Sequence, residues 1–186
     1  MHGRDGKVRR VREVPIPVVA LLVVLVVTGP VLLALTDRGA PPPAAGHPVP
    51  LEQLVRRAGC ELSEFDADPE SNPPVSGRVD ERVTAEDGSY VGRTAPSTLA
   101  ATHALLHGRV LVQYRPELSR SHLGRLDRFV RREPAGALVF ENQTDMPQPV
   151  AATAYLTLMT CPRVDARTIH ALRAFRDRRG NFGQGF

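Results

Sequence analysis

The sequence predicts an α+β domain behind an N-terminal transmembrane helix, with a small mixed sheet covered by helices. Three observations carry that expectation. The run 15–35 contains no charged residue. After Leu51, segments of helical spacing alternate with short strand-like runs. The stretch T-H-A-L-L-H-G-R-V-L-V-Q-Y-R-P, Thr102 to Pro116, begins as a helix, stops at Gly108 and becomes a strand within two residues.

The chain begins with a basic head, residues 1–14, where Arg4, Lys7, Arg9, Arg10 and Arg12 outweigh Asp5 and Glu13. The 186 residues carry a net charge of +4, so most of the basic excess lies there. Lys7 is the only lysine, and heavy use of Arg, Ala, Pro and Val suggests a GC-rich bacterial genome. Residues 15–36 are expected to form the membrane helix. At 1.5 Å per residue, the uncharged run gives roughly 31 Å of helix, enough for a bilayer core of about 30 Å. The head on one side and the nearly cancelling Asp37 and Arg38 on the other predict a cytoplasmic N-terminus and an extracytoplasmic domain, in a single-pass cell-membrane protein. Pro30 is expected to kink or end the helix. A cleaved signal peptide with its apolar core at Leu21–Val27 is the rival, and no clear A-x-A site follows it. Residues 37–50, with three consecutive prolines at Pro41–Pro43, read as a semi-rigid, extended linker.

The domain, 51–186, is expected to open on a helix carrying Leu51, Leu54, Val55 and Ala58, stopped by Gly59. From Cys60 to Tyr90 nine acidic residues face two arginines; from Val91 onward fourteen arginines face seven acids. The acidic segment is expected to lie over the basic body as a charge-complementary loop. A calcium site at Asp66–Glu70 is disfavoured, because that run lacks the ligand spacing and glycine of an EF-hand loop. A helix over Pro96–Leu106 precedes a strand over Arg109–Tyr114, ended by Pro116. Ser119 caps a helix with Leu123, Leu126, Phe129 and Val130 on one face and arginines on the other. A short strand at Ala137–Phe140, a turn at Asn142–Pro149 and one longer strand at Val150–Leu158 follow. Asp165 caps the last helix, with Ile169, Leu172 and Phe175 as its stripe. This order matches part of a thioredoxin-like fold, with Pro147 or Pro149 before the long strand, but no active-site dithiol accompanies it.

Cys60 and Cys161 are the only cysteines. In an oxidising compartment an even pair reads first as a disulfide. They are not spaced as C-x-x-C, which argues against a redox role.

With these motifs in place, the sequence resembles the membrane-anchored bacterial family known as domain of unknown function 3105 (DUF3105). The family's P-P-T-S-G-P-H segment corresponds to Pro73–Val79, its H-x-L-E-H-G to His103–Gly108 leading into Val110–Pro116, and its strand near T-A-W to Val150–Tyr155. The resemblance spans roughly Gly59 to the last helix and brings no established activity. An H-x-x-E-H run resembles the inverted zincin pattern, in which two histidines hold zinc and the glutamate acts as base. Here Leu106 stands at the glutamate position and Val79 at the final histidine of the earlier segment. Leucine neither accepts a proton nor orients water, so that hydrolytic mechanism would lack its base.

Two histidines are an incomplete site for zinc or copper. His103 and His107 need a further ligand, with His122, His170, Asp127 and Glu141 as candidates. The alternative is a packed helix end, with His107 favourably placed near the negative end of the helix dipole. Copper at Cys161 with Met159 and Met146 would require a thiolate that a disulfide removes. Asn142-Gln143-Thr144 matches a glycosylation acceptor but reads as a turn. Basic residues without interleaved aromatics argue against nucleic acid. Phosphate-binding glycine loops and nucleophile motifs are absent from the sequence. Two functional classes remain. One is a non-enzymatic extracytoplasmic binding or envelope-associated domain, held in the membrane by residues 15–35 and partnered by envelope components or another membrane protein. The other is a metal-binding protein or metal-dependent enzyme using His103 and His107.

Overall fold

A computed structural model describes residues 48–66 and 70–180. The head, the proposed membrane helix, most of the linker and the interior of the Asp66–Glu70 run lie outside the described residues. Among the described residues no helix is long and apolar enough to cross a membrane. A compact unit begins at Pro48, and the end of the expected linker belongs to it: the Val49 carbonyl accepts from Arg178, and the Pro50 carbonyl accepts the first helical N–H groups.

The domain is α+β, with four helices and one six-stranded sheet among the described residues. In chain order the elements are α1 (Leu51–Ala58), β1 (Glu61–Glu64), β2 (Gly88–Ser89), α2 (Thr98–Leu106), β3 (Val110–Tyr114), α3 (Arg120–Arg132), β4 (Ala137–Glu141), β5 (Val150–Ala154), β6 (Thr157–Cys161) and α4 (Ala166–Arg179). The strands are arranged β1-β6-β5-β3-β4-β2. β3 pairs parallel with β4 and antiparallel with β5, β5 pairs antiparallel with β6, and β6 pairs antiparallel with β1.

Both faces of β3 are covered, so all five of its residues are buried. Alternation sends Val110, Val112 and Tyr114 into the larger core, with Val55, Phe129, Val150, Met159 and Phe175. Leu111 turns to the other face, against Ala104, Leu105, Leu138 and Phe140. A strand buried on both sides reads as a nearly continuous apolar run, and V-L-V-Q-Y does.

The helix boundaries follow their capping residues. Gly59 stops α1 at φ +71°, a left-handed conformation that costs glycine little. The side chains of Ser97, Ser119 and Asp165 accept from Ala100 N–H, His122 N–H and Thr168 N–H at the starts of α2, α3 and α4. α2 therefore begins at Thr98, two residues after the expected Pro96.

Three other expectations need correcting. Val150–Leu158 is not one strand. The chain reverses at Tyr155 and Leu156, where Leu156 has φ +55°, and Ala154 pairs with Thr157. Two-residue hairpins usually announce themselves through Asn, Asp or Gly, and this one carries none. Secondly, the acidic segment contains two strands, β1 and β2, although its carboxylates do reach the basic body. Glu64 pairs with Arg179, and Asp87 with Arg109 at 3.3 Å. Finally, Ile169 is only partly buried on α4, whose covered stripe is Thr168, Ala171, Leu172, Phe175 and Arg176. Arg176 is held there by Glu133 and Asp177 and lies over the Phe129 ring.

Candidate functional site

The paired histidines close α2 just before β3 starts. His103 lies in the last turn, His107 is the C-cap and Gly108 follows at φ +77°. The Val83 carbonyl can only accept, so the His103 Nδ1–H donates to it at 2.7 Å. That leaves His103 Nε2 facing His107 Nε2 at 2.9 Å, one nitrogen donating to the other. A tetrahedral zinc held by both at about 2.0–2.1 Å would set these nitrogens roughly 3.3 Å apart. The observed spacing is that of a hydrogen bond. Among the described residues, no group of three or more His, Cys, Asp or Glu side chains could hold a metal ion. The structure thus brings none of His122, His170, Asp127 or Glu141 to the pair. Asp127 belongs to another network: burial pushes its carboxyl up, but hydrogen bonds from Ser89 and Arg131 outweigh this and hold it below the ordinary value.

The Pro73–Gly77 segment is a strap across the α2 side of the sheet. Val75 is fully buried, and its carbonyl accepts from Leu156 N–H at 3.1 Å. Asn72, just before it, donates to the Thr144 carbonyl at 2.6 Å. The buried Asn142 continues this network, donating to Gln113 Oε1 at 2.8 Å and accepting from Thr144 and Met146 N–H. The glycosylation-like triplet is therefore an internal turn. A cavity of about 20 Å³ between the strap, α2 and Gln113 has room for about one water.

A larger opening lies at the other end of β3, and the topology creates it. β3 and β6 run the same way, with β5 antiparallel between them. The loops leading into α3 and α4, and the residues entering β5, consequently share one edge of the sheet. They enclose a cleft of about 500 Å³. Arg115 and Leu118 come from the β3–α3 loop, His122 from the first turn of α3, Pro149 from the start of β5, and Pro162 and Arg163 from the β6–α4 loop.

Each guanidinium is anchored at Nε, and Arg115 is held at Nη1 as well, which donates to the Pro147 carbonyl at 3.5 Å. Arg115 Nε donates to Glu117 at 3.0 Å, and its backbone N–H donates to the Pro149 carbonyl at 3.0 Å. Arg163 Nε donates to Asp165 at 3.1 Å, while its Nη2 lies 3.5 Å from where a Cβ on Gly59 would stand. The Arg115 hydrogen bond holds the Glu117 carboxyl below the ordinary range, and the Thr168 N–H does the same for Asp165. Both acids are therefore ionised at neutral pH.

The Cys60–Cys161 disulfide, with Cα atoms 4.3 Å apart, borders this edge. It joins the end of α1 to the residue immediately before Pro162 and Arg163, fixing one wall of the cleft. Just before Arg115 in the chain, burial and then the Glu141 carboxylate raise the Tyr114 phenol above its ordinary value, so it stays protonated. A second groove, of about 690 Å³, lies between α1 and β1, but no loop from another strand converges on it.

Sequence reasoning identified the cysteines and the histidine pair, and missed Arg115, Arg163, Leu118 and Pro149. The available signal was a proline at or just beyond three strand ends, Pro116, Pro149 and Pro162. It becomes informative only when strand order places those ends together.

The profile of one protein family, described as Protein of unknown function (DUF3105), matches residues 66–181. No curated protein and no solved structure matches the chain.

Proposed function

The chain belongs to the DUF3105 family, and we propose that it is a non-enzymatic binding domain held outside the cytoplasm by one membrane helix. The uncharged run 15–35 and the cationic head support the anchor and its direction. The proline-rich 37–47 supports a spacer between bilayer and domain. The observation that carries the reading is the Cys60–Cys161 disulfide beside the cleft. Such bonds persist in oxidising compartments, and this one ties the end of α1 to the residue just before Pro162 and Arg163, which line the cleft. Envelope components or another membrane protein are the natural partners of a domain so placed.

The order β3-α3-β4 followed by β5-β6-α4 supports a thioredoxin-like core. Its β3–α3 turn carries Glu117 to Ser119 without cysteine, and both cysteines are bonded to each other elsewhere. The scaffold is then used for binding, without dithiol exchange. Protease added to intact spheroplasts should remove the C-terminal domain and spare the head. Protection of the domain in sealed spheroplasts would reverse the orientation.

A second reading, a metal site at His103 and His107, has one observation in its favour. A backbone carbonyl fixes the outer nitrogen of His103, as it commonly does for metal-bound histidines. Elemental analysis decides between the readings. Stoichiometric zinc or copper in the wild type, lost in H103Q/H107Q, would establish the metal reading.

A further inference from the structure

Resting on the reading of the cleft as a binding site, we propose that it takes a singly charged amphiphile. The oxyanion head would lie between Arg115 and Arg163, and the apolar body along Leu118, Pro149 and Pro162. Charge selects the head. Two guanidinium groups and two ionised carboxylates, Glu117 and Asp165, leave the cleft close to neutral. A dianion would face both carboxylates, whereas an uncharged head would leave the guanidinium forks unanswered. The acids grip each arginine at Nε, which orients the forks. Arg115 Nη1 donates to the Pro147 carbonyl, and Arg115 Nη2 and the Arg163 Nη groups remain for a ligand. A carboxylate or a phosphodiester presents the two acceptor oxygens that such forks match.

Size and lining select the body. About 500 Å³ falls within the range of small-molecule sites and far exceeds a bare anion. Leu118 and Pro149 are half-buried and Pro162 is exposed, so an apolar chain laid along them would remove apolar surface from water. His122 lines the same cleft, and its ring has no hydrogen-bond partner among the described residues. It is available to the head. A domain held at a membrane would meet two sources of such molecules, fatty acids with carboxylate heads and lipids with phosphodiester heads.

Calorimetric titration of the full chain in zwitterionic lipid discs, with empty discs as the blank, tests the proposal. Dodecanoate and methyl dodecyl phosphate are the probes, with dodecanol, acetate and dimethyl phosphate as controls. One saturable site is expected for at least one charged amphiphile, and the tighter head identifies the source. Dodecanol and the short anions should bind at least about tenfold more weakly. R115Q/R163Q should lower the affinity about tenfold or more while the circular dichroism spectrum stays unchanged. Should that variant unfold, R163Q alone, at an exposed side chain, gives the same comparison. Equal affinity for dodecanol and dodecanoate, no saturable site for either charged probe, or undiminished affinity in a folded arginine variant would overturn the proposal. Calorimetry does not sense which side of a membrane the domain occupies, and the protease assay does not sense the ligand, so each reading fails separately.

Discussion

The two ends of β3 differ in how their polar groups are satisfied. At its start, His103 and His107 answer each other and a backbone carbonyl, and the set closes on itself. At its end, Arg115 is held at Nε and Nη1 and Arg163 at Nε, and their remaining Nη groups have no hydrogen-bond partner among the described residues beside a cleft of about 500 Å³. The histidines are conspicuous in sequence because they sit four apart on one helix. The arginines lie forty-eight positions apart, and only the sheet order brings them together. A helical motif is thus visible long before its chemistry is known, whereas a site assembled from strand ends is invisible until the strands are ordered.

The sharpest way to break this contrast is at the covalent tie. C60S/C161S opens a loop spanning 101 positions, and the chain-entropy model puts the loss for such a loop near 4.7 kcal/mol. Denaturant unfolding of the domain should show a loss of about 2–5 kcal/mol, with amphiphile binding weakened as well. A stability unchanged within error would mean that the bond does not hold the cleft wall.

Asn142 supports the strap on the α2 face. Replacing it with alanine strips partners from Gln113 Oε1 and from the Thr144 and Met146 N–H groups. Leaving such groups unmet costs about 1–3 kcal/mol each, so N142A should lose about 2–3 kcal/mol because some recover water. The same denaturation measurement reads it, and cleft affinity should not move.

Asp165 gives a smaller, pH-dependent effect at the cleft. Its carboxylate caps α4, and D165A should cost about 1 kcal/mol at neutral pH. The Thr168 N–H holds its folded pKa below the ordinary aspartate value of about 3.9. The unfolded chain therefore takes up the proton first as pH falls. The stabilisation is complete above the ordinary value and disappears as pH drops through the depressed one. Stability curves of wild type and D165A should converge in that acidic window. Parallel curves would exclude the ionised cap as the cause.

The smallest effect is expected at the histidines. H103Q/H107Q should change stability by about 0.3–1 kcal/mol, the scale of a charged group at an exposed helix end. Cleft affinity should stay the same. Introducing glutamate as L106E should not confer hydrolytic activity, and a measurable gain would favour the metal reading.

Much of the fold was legible because it follows from local chemistry. Gly59 and Gly108 marked two helix ends, Ser119 and Asp165 marked two starts, and V-L-V-Q-Y marked the central strand. The disulfide followed from cysteine number and expected compartment. The β5–β6 hairpin was hidden because Leu156 adopts positive φ without a turn residue to announce it. β1 was hidden because E-L-S-E is an acidic edge strand whose partner among the described residues, β6, lies about a hundred residues away. The cleft was hidden for the same reason: long-range pairing, not local pattern, makes it.

The central claim is that ligand chemistry belongs to the end of β3 and not to its start. Amide hydrogen exchange on the full chain in zwitterionic discs, with and without the tighter charged probe, tests it directly. Added protection is predicted over 117–122 and at Arg163, with none at His103 or His107. Protection confined to the histidines and Gly108, with the cleft amides unchanged, would contradict it.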